Sequence, residues 1–328
     1  MRSHAAAGGA GADGGPARGL AGITPGRSGH PPSCIRWHGD YTGRVSTLTS
    51  GRFMSRIIWL ASYPKSGNTW MRALLANYIL DHDEPISINE LRGFTLSDTR
   101  PRFFDGLTEK SLTSLTIEEV RALRPEAQRR LAAARDHDHF VKTHSQLAEY
   151  GSVPLINTAV TAGAIYILRD PRDMILSYAA HFGVDVDEAI DRIASDQNIT
   201  TAGDFEMSTI LGRWDRHVES WTDQKVIPVC AVRYEDLHRD TEAAFGSILK
   251  TLGMPVSADR LAKAVRNSAF ETLSREESKD GFIERPPHME RFFRSGKPGG
   301  GVTGLTAAQR TRIETDHGAV MTRFGYLP

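Results

Sequence analysis

The chain has 328 residues, 40% of them hydrophobic, which can build one large core or two modest ones and excludes a fibre or a wholly disordered polypeptide. Its 40 basic residues are balanced by 40 acidic ones, so no whole-molecule field draws it to nucleic acid or an anionic membrane, and any affinity for anions must be local. Two cysteines, Cys34 and Cys230, cannot make a disulfide framework, and no apolar run reaches the roughly 18 residues of a membrane span, so a cytoplasmic setting is the default.

Residues 1–53, including AAAGGAGADGGPARGLAGITPGRSGHPPS, are rich in Gly, Ala, Pro and Ser and lack an apolar signal core. They read as a disordered leader, or as the product of a misassigned start, ahead of a domain spanning 54–328. Met54 then opens a natural first strand.

IIWLASY, from Ile57 to Tyr63, is a short continuous apolar run, as in a strand buried on both faces of a parallel sheet. After it, Trp70, Met71, Leu74, Leu75, Tyr78 and Ile79 lay an apolar stripe along one helix face. Between Asp81 and Asp138 the chain is charged and helical without a strong strand, and Thr116 to Glu119 has the pattern of a capping box. HFVKTHS is a brief strand with a polar end. AIYILRDPRDMILSYAAHF repeats the strand, tight turn, helix plan, with Asp170 as N-cap and Pro171 as first helical residue.

Ile210, Leu211, Trp214, Val218 and Trp221 mark a further amphipathic helix. VIPVCAVRY reads as a strand whose Pro228 places it at a start or an edge. A helix through Phe245, Ile248, Leu249 and Leu252 follows, then a polar Pro- and Gly-rich stretch from Glu276 to Gly301, and a capped C-terminal helix. Strands alternating with helices predict an α/β fold, a P-loop-like open sheet of mainly parallel strands flanked by helices in a single domain.

SYPKSGNTW carries the first chemistry. Gly67 permits close backbone approach, Ser66, Asn68 and Thr69 bring polar groups to a helix start whose free N–H groups point outward, and Lys65 adds a full charge. That combination suits phosphate. An ordinary turn with an exposed lysine has similar letters, but the buried strand before it and Trp70 after it weigh against that. The usual triphosphate loop, G-x-x-x-x-G-K-[ST], does not fit, because here the lysine precedes the glycine.

YPKSGNTW resembles the 5′-phosphosulfate loop of the sulfotransferases that use 3′-phosphoadenosine 5′-phosphosulfate (PAPS). LRDPRDMILS resembles that family's 3′-phosphate segment, and FFRSGKPGG its C-terminal Arg-x-Gly loop. The resemblance implies that Arg169 and Ser177, eight positions apart, hold the 3′-phosphate, with Arg294, Ser295 and Gly296 closing over it. VRYEDL and NSAF place Tyr234, Ser268 and Phe270 beside the adenine, and Trp70 would stack on its other side. VKTHS resembles the family's lysine-threonine-histidine strand end, which makes His144 the base, with Lys142 on the same face and Lys65 at the leaving oxygen. His137, His139 and His181 are then bystanders, and no His/Cys/Asp/Glu cluster has metal-ligand spacing.

The implied activity is sulfonate transfer from PAPS to a hydroxyl or amine, without metal, leaving 3′-phosphoadenosine 5′-phosphate (PAP). The acceptor, a small molecule, sugar or lipid, should be shaped by residues 81–138, 182–207 and 278–291, with Phe103, Phe104, Phe182 and Phe282 available to line it. The family's short dimer motif is not carried over: Val302, Thr306, Ala307 and Thr311 stand in its place, so the oligomeric state stays open. Two rival readings remain at this stage. One is a P-loop kinase or NTPase using ATP and Mg, for which Ser66 after Lys65 would serve but the aspartates of RDPRD, beside arginines, would not; the other is a nucleotide-binding protein without catalysis.

Overall fold

The structure, a computed structural model, describes residues 55–203 and 206–328. The Gly/Ala-rich leader, Met54 and Cys34 lie outside the described residues.

The central sheet has five strands in the order β2-β3-β1-β6-β9, and every pairing in it is parallel. β1 is Ile57–Ser62, β2 Leu96–Ser97, β3 His139–Thr143, β6 Thr161–Leu168 and β9 Val229–Arg233. Two short antiparallel ribbons lie apart from it, β4 (Glu149–Tyr150) with β5 (Val153–Pro154) and β7 (Ile199–Thr200) with β8 (Thr209–Ile210). The helices are α1 (Asn68–Leu80), α2 (Leu91–Phe94), α3 (Ile117–Ala132), α4 (Pro171–Phe182), α5 (Val186–Ile193) and α6 (Trp214–Thr222). They continue as α7 (Tyr234–Arg239), α8 (Thr241–Thr251), α9 (Ala258–Asn267), α10 (Phe270–Asp280), α11 (Gly300–Gly304) and α12 (Ala307–Arg323).

Period-two alternation in β1 explains the layering. Trp59 and Ala61 face a core shared with Val120 of α3, Met174 of α4 and Trp214 of α6. Leu60 faces the opposite core, with Met71, Leu74 and Leu75 of α1 and Phe245 and Ile248 of α8. Helices therefore cover both faces, the condition under which a parallel sheet is stable. β1 is the middle strand, with β3 and β2 on one side and β6 and β9 on the other, so the C-terminal ends of β1, β3 and β6 flank the switch point where ligands bind in open α/β sheets.

Local signals behave as their chemistry predicts. Thr116 and Glu119 form a reciprocal capping box at α3, Thr306 and Gln309 another at α12, and Asp170 caps α4 by accepting from the Arg172 N–H. Pro228 directly precedes β9, which is an edge strand. The strand between residues 81 and 138, β2, has only two residues, too short to leave a periodic trace. Two expectations are corrected. Ile210 belongs to β8, and the helix starts only at Trp214. The polar stretch begins later than Glu276, because α10 runs to Asp280.

Candidate active site

The loop after β1 is held in shape by its own backbone. Lys65 and Gly67 both adopt positive φ, 69° and 107°, and a Cβ on Gly67 would lie 2.6 Å from Cδ2 of Tyr234. Only glycine fits there. Asn68 donates from Nδ2 to the Leu60 carbonyl (2.9 Å) and to Ser62 Oγ (3.2 Å), tying the start of α1 to the end of β1.

The Lys65 ammonium is buried without a hydrogen-bond partner among the described residues and sits 3.5 Å over the Phe292 ring centroid. Burial, reinforced by the nearby charges of Lys142 and Arg169, pulls it down to about 7.

His144 stands at the end of β3. Its Nδ1 lies 2.7 Å from the Ser62 carbonyl oxygen, which can only accept, so Nδ1 carries the proton and Nε2 keeps the lone pair. Burial and then the Lys142 charge push His144 well below the usual imidazole value, so it is neutral at pH 7. The backbone that carries it is fixed from behind: His217 Nε2 donates to the His144 carbonyl (3.0 Å), and the Tyr166 hydroxyl donates to His217 Nδ1 (2.9 Å). The buried pair of Asp98 and Arg124 (2.9 Å) adds a brace, since Asp98 also accepts from Thr143 Oγ1 at 3.0 Å.

Glu284 counters the cations. Arg72 donates to it through two nitrogens, at 2.9 and 2.8 Å, and Lys142 Nζ lies 3.5 Å away. Burial would raise this carboxyl, but Lys142 and Arg72 override that and hold it well below the carboxylate range.

Across the switch point, Arg169 at the end of β6 lies 4.3 Å over the Tyr234 ring, with Nη1 3.5 Å from the Lys65 carbonyl and Nη2 3.4 Å from that of Lys297. Trp70 meets Tyr234 edge to face at 5.5 Å. Residues 294–301 dock against this cluster. The Tyr234 hydroxyl donates to the Gly296 carbonyl, Arg294 to the Leu176 carbonyl (3.1 Å), and the N–H groups of Gly299 and Gly301 donate to the Asp173 carboxylate (2.5 and 2.7 Å).

Lys65, Gly67, Asn68, Thr69, Trp70, Lys142, His144, Arg169, Ser177, Tyr234, Phe270, Arg294, Ser295 and Gly296 all line one cavity of about 1610 Å³. A drug-sized ligand needs roughly 300–1,000 Å³, so there is room for a nucleotide and a second molecule. Two expected ligands are not on its wall. Ser268 is fully buried and accepts from Asn77 Nδ2 at 3.1 Å, bonding the end of α9 to α1, and Ser66 is fully buried with its hydroxyl unpartnered among the described residues. Of the four phenylalanines, Phe182 lines the cavity, whereas Phe103, Phe104 and Phe282 are buried in the cores.

Residues 55–325 match the model of the sulfotransferase domain family. The chain belongs to that family.

The sulfotransferase is 26% identical over 278 residues to flavonol 3-sulfotransferase of Flaveria bidentis, covering 78% of this chain and 79% of the relative. It is 25% identical to cytosolic sulfotransferase 12 of Arabidopsis thaliana, covering 80% and 77%. Among solved structures, retinol dehydratase in complex with retinol and PAP superposes with a TM-score of 0.57 at 18% identity, covering 82% of each chain. A mouse sulfotransferase complexed with PAP gives 0.52 at 17%, covering 80% of this chain and 83% of that one. At those identities the structures attest the fold. Family membership makes the protein a PAPS-dependent transferase.

The residues present fit such a donor. The orphaned Lys65 ammonium shares one cleft with Arg169, Ser177 and Arg294, a set of cations and a hydroxyl suited to a doubly anionic nucleotide, and the Gly67 and Gly296 positions have no room for a side chain beside Tyr234 and Phe270. The sequence reading missed Glu284, Arg72 and Phe292. Arg72 left a signal, a charge inside the apolar register of α1. His181, read as a bystander, lines the cleft; burial and the charges of Lys65 and Lys142 bring it down to about 3.

Proposed function

We propose that this protein moves the sulfonate of PAPS to a hydroxyl or amine of a small acceptor in the cytoplasm, with His144 as general base and no metal. The observation that carries the proposal is the meeting of His144, in the tautomer that leaves Nε2 free, with Lys65 and Arg169 in one cleft. PAPS, when bound, supplies the sulfonate and the leaving phosphate. Lys65 answers the charge that grows on the leaving oxygen, and Lys142 stands beside it toward the sulfonate. Nε2 of His144 takes the proton of the acceptor. Arg169, Ser177, Arg294, Ser295 and Gly296 grip the 3′-phosphate, and Trp70, Tyr234 and Phe270 enclose the adenine, an assignment supported by their shared wall. Thr69 and the N–H groups at the start of α1 complete the 5′ end.

The names of the relatives point to small acceptors such as flavonols and luciferin. Among the described residues no helix is long and apolar enough to cross a membrane, which agrees with an acceptor taken from solution. The kinase reading is not favoured, because the family model that spans residues 55–325 is that of sulfotransferases. Calorimetry with PAP, and separately with ATP and magnesium, tests the reading: PAP should bind and Arg169→Ala should weaken it by about 1.5–3 kcal/mol. Preference for the triphosphate, or an unchanged Arg169→Ala dissociation constant, would overturn it.

A further inference from the structure

The part of the cavity beyond His144 is unlike an apolar slot. Its wall is built from the chain around β2 and from the segment leading into β7, and it carries Ser97, Gln197, Asn198 and Thr200. Arg92 and Arg100 both line it, and neither has an acid, carbonyl or ring partner among the described residues. Other arginines on this side are engaged, Arg192 by Glu188 (2.6 Å) and Arg285 by the Glu290 carbonyl (2.6 Å). Thr95, on the same wall and 2% exposed, has a buried Oγ1 without a partner. Against these cations stand Glu284, already taken up by Arg72 and Lys142, and Glu206.

Position separates this wall from the nucleotide's 3′-phosphate. β2 is an edge strand, three strand spacings from β6 and its Arg169, or about 14 Å across the sheet. It is one spacing from β3, and Ser97 is in register with Lys142, two residues before His144. Free guanidinium groups on the acceptor side of a base are suited to a carboxylate, sulfate or phosphate by paired charge-assisted hydrogen bonds.

We propose that the acceptor is a hydroxylated molecule bearing a separate anionic group, held by Arg92 and Arg100 while its hydroxyl faces His144. The inference rests on the sulfotransferase reading above. In the transfer the acceptor oxygen forms a bond to sulfur as the sulfur–oxygen bond to the nucleotide phosphate breaks; the electron pair leaves with PAP and the acceptor proton passes to Nε2 of His144.

Matched acceptors test this with labelled PAPS: 4-nitrophenyl glucuronide against 4-nitrophenyl glucoside, and 3-(4-hydroxyphenyl)propionate against 4-propylphenol. A phosphate and a sulfate ester of one sugar would separate the anion types. The anionic member of a pair should be favoured at least tenfold in kcat/KM, about 1.4 kcal/mol. The double variant R92A/R100A should bring that ratio close to one, R92K/R100K should restore part of it, and PAP affinity should be unchanged in both, which also certifies that they fold. Equal or better use of the neutral members, a ratio untouched by R92A/R100A, or failure of every anionic probe to be transferred or to bind the PAP complex would overturn the inference. Failure of the wild-type protein to bind PAP would instead sink the sulfotransferase reading beneath it.

Discussion

Nδ1 of His144 faces the carbonyl oxygen of Ser62 at 2.7 Å, a contact that joins the ends of two neighbouring strands, β3 and β1, and fixes which ring nitrogen can act as a base. Replacing His144 by alanine should cut transfer by about 10²–10⁴-fold while PAP binds almost as before. The pH profile follows from the sign of the shift. A depressed imidazole is already neutral at pH 6.5, so the acid limb of kcat/KM should fall well below that value rather than at it. Retained turnover in His144→Ala, or an acid limb centred near 6.5, would remove His144 from this role.

Lys65 should reveal itself through protons. In the free protein it titrates at about 7, so at pH 8 most molecules hold it neutral, and an anion bound beside it will draw a proton back. Calorimetry of PAP binding at pH 8 in buffers of different ionisation enthalpy should report uptake of close to one proton, shrinking toward zero at pH 6 and absent in Lys65→Met. Uptake that survives in Lys65→Met would assign the proton elsewhere.

The same lysine costs stability. The unfolded chain keeps this proton to about 10.5 and the folded chain only to about 7, so the unfolded state binds more protons between those values and stability rises with pH across that window. Below pH 7 the full cost stands, on the order of 3–5 kcal/mol at about 1.4 kcal/mol per pK unit. Lys65→Met should therefore be more stable than the wild type in urea at pH 6.5 and less so in advantage at pH 9, while losing transfer. A variant no more stable than the parent at pH 6.5 would contradict this account.

Glu284 should behave in the opposite sense. Arg72 is 1% exposed and its counter-charge is Glu284, so Glu284→Gln leaves a buried guanidinium unpaired, at a cost of about 3 kcal/mol measured by urea unfolding at pH 7. Because the folded carboxyl lies below its unfolded value, the stabilisation it brings is present above about 4.3 and is lost as pH falls below that. The gap between wild type and variant should close in acid. A gap that is constant with pH would mean that charge pairing is not the cause.

Why some of this could be read from the chain and some could not has a physical basis. The loop after β1 and the start of α4 are local: Lys65, Gly67, Asp170 and Pro171 make their structure with neighbours a few residues away, so their letters suffice. Ser66 and Ser268 lie buried off the cavity wall, a placement the letters do not announce, because a serine near a ligand-binding loop carries no mark of its burial, and tertiary contacts, such as Asn77 meeting Ser268 across 191 positions, decide it. Glu284 lies 212 positions from Arg72 in a stretch with no periodicity, so nothing local announces a pairing that only the folded sheet creates. His181 looked like a helix-surface residue because its neighbours on other elements, Lys65 and Lys142, are remote in sequence.

The closing segment supplies a test of how the adenine side is built. Gly296 adopts φ 64°, and a Cβ placed on it would lie 2.2 Å from Cδ2 of Phe270, with Cε2 at 2.7 Å. Neither the backbone angle nor the ring can absorb that cheaply, because Phe270 is itself held edge to face against Phe293 at 6.3 Å. Gly296→Ala must therefore move either the ring or the loop that carries Arg294 and Ser295, and the Tyr234 hydroxyl bond to the Gly296 carbonyl would be disturbed with it. We expect PAP affinity to fall at least tenfold, about 1.4 kcal/mol, with only a small change in the urea midpoint, since residues 294–296 belong to none of the three apolar cores. Pairing the variant with Phe270→Leu, which clears space for the new methyl, should return part of the lost affinity if crowding is the cause. An alanine variant that binds PAP as tightly as the wild type would mean that residues 294–296 do not contact the nucleotide.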